Sequence, residues 1–489
     1  MIITGHIVLN SKITYGKGNN GNYYRFIDHN SNNLYVIQHK KENLRSTINV
    51  YVVAKIPEDP KYLNNAVILQ KVKIIGSVGS KQSEYSYLLH KHMLIEYEDK
   101  KQEKILIQEI EKLLSERTQT VNAFTIDPEN SKDYDDAFSY QYNENVHIIG
   151  VHIADVSSIV KQDCLTDNQA LQRLSSVYPD SRYNNTINML PNFLSENYLS
   201  LKEDIKPKLT VSFYYHYKII NNVWTLMSVN YTRDKVLITR NYSYKEAKKE
   251  LKSNKNTALK LLSEIANSKG DTHNLVSYWM IHVNNYVSNK LMEKNNCIIL
   301  RSYKTKKDSY PSYLTDEDRQ LYIQVTNRSA NYILLKDKNE YNEQDHSHET
   351  LNKSYYTHFT SPLRRYSDII AHRLLFEEDQ NYKELLTVTE NINKKNKVLN
   401  KLKRDEEKLN LIYKLEQYWN ETKEPLYLIG IVFSYDETYA NVKITYEQEN
   451  YILSVKKSKE VKNFELVKLE IVPNINSSIF SKKIFINML

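Results

Sequence analysis

Thr125-Ile126-Asp127-Pro128-Glu129-Asn130-Ser131-Lys132-Asp133-Tyr134-Asp135-Asp136 is the run on which the rest of the chain turns. Four aspartates fall here directly after an apolar, strand-like stretch from Val121 to Ile126. Carboxylates this close repel one another unless cations hold them together. Hard oxygen ligands on a short turn suit Mg²⁺ or Mn²⁺, and a pair of such ions about 4 Å apart acts on phosphoryl groups. The plainer reading of an Asp-rich turn is a solvated acidic loop. Apolar strands on both sides, the inward continuation Ala137-Phe138 and a chain that is basic overall argue against it.

The 489 residues leave room for two to four domains. A net charge of +8 favours polyanionic partners, and 40 tyrosines supply rings that can stack on bases, although most tyrosines fill cores and surfaces. Cys164 and Cys297 are the only cysteines and have no paired spacing, so neither a disulfide frame nor a zinc site is expected. That usage fits a reducing, intracellular compartment. Neither a leader pattern nor an apolar run of membrane-spanning length is visible, so the protein is expected to be soluble and free of membrane.

Outward from the aspartates, residues 1–95 read as short strands between polar turns: 6–9, 23–27, 34–37, 48–53, 66–69 and 72–75. That pattern predicts a small barrel of OB type. Gly16-Lys17-Gly18-Asn19-Asn20-Gly21 resembles a phosphate loop but lacks its Gly-Lys-Ser/Thr ending, so a hairpin turn is expected. A charged helical linker follows over 96–120, with Ile105, Ile107, Ile110 and Leu113 as its apolar side. Residues 121–424 mix helices and strands without βαβ alternation, which predicts an α+β core. Within it, Leu385, Leu386, Ile392, Leu399, Leu402, Leu409, Ile412 and Leu415 predict a packed helix pair between Tyr382 and Tyr418. Residues 425–489 return to strands and predict a second small barrel.

Four further blocks accompany the aspartate run: His152-Ile153-Ala154-Asp155-Val156-Ser157, then Ser176-Val177-Tyr178-Pro179 with Met189-Leu190-Pro191, then His348-Glu349-Thr350-Leu351, and finally Thr360-Ser361-Pro362-Leu363-Arg364-Arg365-Tyr366. Five blocks in this order resemble the catalytic domain of the ribonuclease II and ribonuclease R family, also called the RNB family, over roughly Val121 to Trp419. The resemblance implies an RNB catalytic domain flanked by OB-type barrels. It also implies a monomer that hydrolyses single-stranded RNA processively from the 3′ end to nucleoside 5′-monophosphates, with Mg²⁺ or possibly Mn²⁺ as cofactor.

By the same resemblance Asp127, Asp133, Asp135 and Asp136 are the metal positions, with Asp135 the least replaceable. Arg364 contacts the reacting phosphate, and Arg365 joins it in RNA binding, although a salt bridge to Asp368 competes for Arg365. Tyr178 and Tyr244 are the aromatics that stack on or line the RNA path. His152, Asp155, His358 and His372 are read as structural. The chain departs from the family where a glutamate contacts the terminal ribose, since Ser277 and Tyr278 stand there. It also carries one N-terminal barrel rather than two, and a longer Tyr178–Met189 segment with Asn184-Asn185. The rival readings are a catalytically silent RNA-binding protein of the same fold and, on the missing glutamate alone, a DNA exonuclease.

Overall fold

A computed structural model describes residues 2–489 apart from positions 12, 30, 32, 41–47, 93–102, 254–255, 295–296, 305–309, 327–329 and 377–380. The N-terminal strands are β1 (Ile2–Ile7), β2 (Gly16–Gly18), β3 (Gly21–Asp28), β4 (Tyr35–His39), β5 (Val50–Lys55), β6 (Tyr62–Leu63) and β7 (Ala66–Ser77). The ring β1-β5-β7-β4-β3 closes through the β1–β3 pairing, with β4 and β7 parallel. A small five-stranded closed ring of this kind is an OB-type barrel. The glycine-rich stretch is a hairpin, with Gly18 opposite Gly21 across Asn19-Asn20. The strands expected at 66–69 and 72–75 are one, because β7 runs through and bends where its register with β5 shifts.

Helix α1 (Lys81–Lys91) was not anticipated. Its buried residues include Tyr85, Tyr87 and Leu88, and tyrosines among Ser, His and Lys give little amphipathic contrast to read. The expected boundary at 95 lies outside the described residues. Beyond them the linker is helix α2 (Glu103–Glu116), which buries Leu106 and Ile110. Ile105, expected on the apolar side, is exposed, so the inner face lies one residue further round.

The central barrel comprises β8 (Thr120–Asp127), β9 (Asp136–Asn143), β10 (Val146–Ala154), β11 (Lys208–Ile220) and β12 (Val223–Ser243), closed in the order β10-β11-β12-β8-β9. Helix α3 (Leu165–Arg173) lies between β10 and β11. After the barrel come α4 (Tyr244–Ser253), α5 (Thr257–Ile265), α6 (Thr272–Glu293), β13 (Ile298–Ser302), α7 (Asp316–Thr326), β14 (Asn331–Leu335), the short α8 (Glu343–His346) and α9 (Tyr366–Leu375). Mixed pairing and helices gathered outside a closed barrel make this an α+β core.

The expected helix pair is a single 41-residue helix, α10 (Tyr382–Thr422). It contains neither Gly nor Pro to break it. It serves three cores in turn: Leu385, Val388 and Ile392 pack in the central core, Leu402 and Leu409 meet α1, and Leu411, Ile412 and Leu415 enter the C-terminal barrel. The buried face therefore rotates along the helix, and Leu386, counted in the stripe, is exposed.

The last sheet has the order β17-β16-β15-β18-β19, from β15 (Leu426–Tyr435), β16 (Tyr439–Tyr446), β17 (Glu449–Lys456), β18 (Leu466–Pro473) and β19 (Ile484–Met488). Its end strands β17 and β19 curl close to each other. The two flanking barrels are joined by a fully buried ion pair, Glu84 of α1 with Lys483, at 3.0 Å. Tyr51 donates its hydroxyl to Glu84, Gly79 donates its N–H, and the Lys483 ammonium also donates to the Ile475 and Ser477 carbonyls. Among the described residues no helix is long and apolar enough to cross a membrane.

Candidate active site

Barrel register explains why the aspartates meet. Asp127 ends β8 and Asp136 starts β9, so residues 128–135 form one loop at the barrel rim. Asn130, at φ 68°, turns it, an angle that asparagine tolerates better than most residues. Ser200 fastens it by accepting from the Tyr134 N–H and donating to the Lys132 carbonyl. The β8–β12 ladder pairs Asp127 with Ser243, which brings Tyr244 beside the acids at the first turn of α4.

The arginine block enters from the other side. Ser176 donates to the Arg364 carbonyl and Tyr366 to the Leu174 carbonyl, so the segment leading to Tyr178 runs alongside Arg364–Tyr366. Asp135 is 3% exposed and held at both oxygens: the Leu363 N–H donates to Oδ1 at 2.9 Å and Arg364 Nε to Oδ2 at 2.8 Å. Arg364 Nη2 also donates to Ser361 at 2.9 Å, while its Nη1 makes no hydrogen bond among the described residues. Arg365 instead donates to the buried Asp368 at 2.7 Å, which makes it a brace for the first turn of α9.

These groups line a cavity of about 600 Å³ together with Tyr178, Tyr244, Ser277, Asn284 and His358. Tyr178 is 52% exposed, so it is not a core ring, and its hydroxyl donates to Asp133. Of the pair considered for ribose contact, Ser277 lines the cavity. Tyr278 turns away and packs its ring on His282 and Trp279. A larger cavity of about 740 Å³ lies between α3 and α10, away from the aspartate cluster.

Charge in the cluster is strained. Burial, with the Asp133 charge adding to it, pushes Asp127 up to about 7 against a hydrogen bond from Thr125 and the Arg364 charge. Burial pushes Asp135 up to about 7 as well, opposed chiefly by Arg364. Asp136 is pushed well up by burial and by Asp127 and Asp135. One oxygen each of Asp127 and Asp136 is buried without a hydrogen-bond partner. Unsatisfied buried carboxylate oxygens suit a divalent cation. Yet no three His, Cys, Asp or Glu side chains among the described residues are gathered to share one ion. Mg²⁺ commonly takes one or two carboxylates, with water and substrate phosphate completing its shell, so the two observations agree.

Of the residues read as structural, His152, Asp155 and His372 are buried, His358 is half-buried at the cavity, and all four are hydrogen-bonded. His152 sits between Ser212 and Ser139 at 2.7 and 2.8 Å, and burial lowers it to about 3, so it is neutral. Asp155 pairs with Arg117 and Arg233, which ties the end of the α2 connector to the barrel. His372 meets the Phe359 carbonyl at 3.0 Å and His358 the Tyr332 hydroxyl at 2.7 Å. Sequence reasoning missed two residues. His273 stacks on Tyr244 with ring centroids 3.8 Å apart, and Asn284 lines the cavity while accepting from the Phe359 N–H. The readable signal for Asn284 was the helical spacing of Ser277, Met280, Ile281 and Asn284, which puts all four on one face of α6.

The family description "RNB domain" matches residues 115–268 and 238–378. Ribonuclease R of Chlamydia pneumoniae is 26% identical over 404 residues, covering 69% of this chain and 58% of that protein. The chain spans about half the length of the curated relatives it matches. Mycoplasma genitalium RNase R, solved in complex with ribose-methylated single-stranded RNA, superposes over the whole chain and 90% of its own, with TM-score 0.72 at 14% identity. Yeast Ssd1, described as a pseudonuclease, superposes over 96% of the chain and 67% of its own, with TM-score 0.65 at 18% identity. At those identities the superpositions speak for the fold alone.

Proposed function

Because the chain belongs to the RNB-domain family, we propose that it is a 3′-to-5′ exoribonuclease that degrades single-stranded RNA to nucleoside 5′-monophosphates with Mg²⁺ or Mn²⁺. The observation that carries this reading is the clasp on Asp135, which brings the aspartate run and the arginine block to one cavity. Asp127, Asp133, Asp135 and Asp136 are the residues that would hold the metal. Bound there, it would polarise a water and offset phosphate charge. Arg364 is oriented by Asp135 and Ser361 and keeps Nη1 for a phosphate oxygen, a use suited to a planar, permanent cation. Tyr178 and the Tyr244–His273 pair offer rings to bases along the cavity. Ser277 supplies a neutral hydroxyl near the ribose where the resemblance leads one to expect a carboxylate.

The second reading is a silent RNA-binding protein. It draws on the fold shared with Ssd1 and on the absence, among the described residues, of a preassembled three-ligand cage. One experiment separates the two: a time course on 5′-labelled single-stranded RNA, with and without Mg²⁺, for the wild type and Asp135→Asn. The enzyme reading expects metal-dependent shortening from the 3′ end, abolished by Asp135→Asn with RNA binding retained. RNA that is bound and left whole by the wild type supports the silent reading. Wild-type cleavage by Asp135→Asn refutes the site.

A further inference from the structure

Tyr178 has two parts, and the reading above uses only its ring. The ring is half exposed at the cavity rim, while its hydroxyl donates to Asp133. Among the four aspartates, Asp135 is already paired with Arg364, and Asp127 and Asp136 each present a buried oxygen with no partner. Asp133 is the acid whose contact is to an exposed aromatic side chain. The four carboxylates therefore stand close without converging on a common point.

We infer that Tyr178 couples substrate to metal: its hydroxyl holds Asp133 aside in the RNA-free protein, and a base stacking on the ring releases that carboxylate to the cation. This rests on the proposed exoribonuclease reading and deepens it. A ring has one orientation at a time, so a base that reorients it to stack breaks the hydroxyl contact. Releasing Asp133 adds a hard, negative oxygen to Asp127 and Asp136, which raises affinity for a divalent ion. By linkage the effect is mutual, and bound metal must tighten RNA by the same factor. Tyr178 acts here as a positioning residue, through Asp133.

Tyr178→Phe keeps the ring and removes the hydroxyl, and at an exposed position it leaves the fold in place. Mg²⁺ is titrated into RNA-free wild-type and Tyr178→Phe protein by thermal shift, then again with a 2′-O-methyl oligonucleotide bound. Wild type is expected to bind Mg²⁺ about tenfold more tightly once RNA is present, the scale of one hydrogen bond to a charged group. Tyr178→Phe is expected to bind Mg²⁺ more tightly than wild type without RNA and to gain less than wild type when RNA is bound, since the phosphate still adds an oxygen to the shell. Equal RNA-free midpoints for the two proteins, or a weaker one for Tyr178→Phe, overturn the coupling. A wild type that binds no Mg²⁺ even with RNA, and does not cleave, sinks the metal-dependent reading and the coupling with it.

Discussion

Asp135 shows how charge is managed at the scale of one residue, because a guanidinium and a backbone N–H each take one of its oxygens. Asp127 and Asp136 lack that support. Carboxyls with folded pKa near 7 and unfolded values of about 4 bind more protons folded than unfolded between those limits. The cation-free protein therefore loses stability as pH rises through that window and regains it as pH falls. A divalent ion needs the deprotonated acids. Mg²⁺ should accordingly raise the melting temperature more at about pH 8 than at about pH 6, and equal shifts would contradict a buried acidic cluster. Tyr178→Ala should lengthen the limit product by a few nucleotides, since stacking contributes about 1–3 kcal/mol per base. A product of unchanged length would remove Tyr178 from the RNA path. The aspartates stood out by their own spacing, whereas Arg364, Tyr178 and Tyr244 came only from the resemblance; all of them line one cavity. His273 carried no such signal, and Asn284 carried one only in its helical spacing from Ser277, which tells nothing until one knows which face of α6 meets the cavity.

Elements were legible where one face meets one core. The strands of the N-terminal barrel and its Asn-Asn hairpin follow from alternation and turn chemistry. Helix α10 was misread as two because its buried face changes partner twice, and a period counted along a single stripe breaks at each change. Helix α1 was missed because its buried residues are largely tyrosines. Continuity of α10 has an energetic consequence. Leu409 is fully buried at the junction with α1, so Leu409→Ala should cost about 2–5 kcal/mol, the range for a large-to-small change in a core. Chemical denaturation measures this, and Leu386→Ala on the exposed side of the same helix serves as the reference. Equal losses for the two would mean that α10 is not shared between cores.

Across the whole molecule the flanking barrels are fastened to each other as well as to the central core. Asn49 reaches Ser478, 429 residues away in sequence, beside the buried Glu84–Lys483 pair. Two charges removed from water are tolerable only together, so losing one partner should cost about 3–5 kcal/mol while losing both should cost less. Lys483→Met is thus expected to be markedly less stable than the wild type, and adding Glu84→Gln should restore part of the loss. A double variant no better than Lys483→Met would show that the pair is not coupled. This contact was not legible in the sequence, because neither residue stands in a recognisable pattern and only the closed fold brings them together. The pair also imposes an order on synthesis. A ribosome delivers Tyr51 and Glu84 about 400 residues before Lys483, so over that interval the growing chain carries an acid that lacks its counter-ion. Of the two flanking barrels, the earlier is complete only once the later has been made.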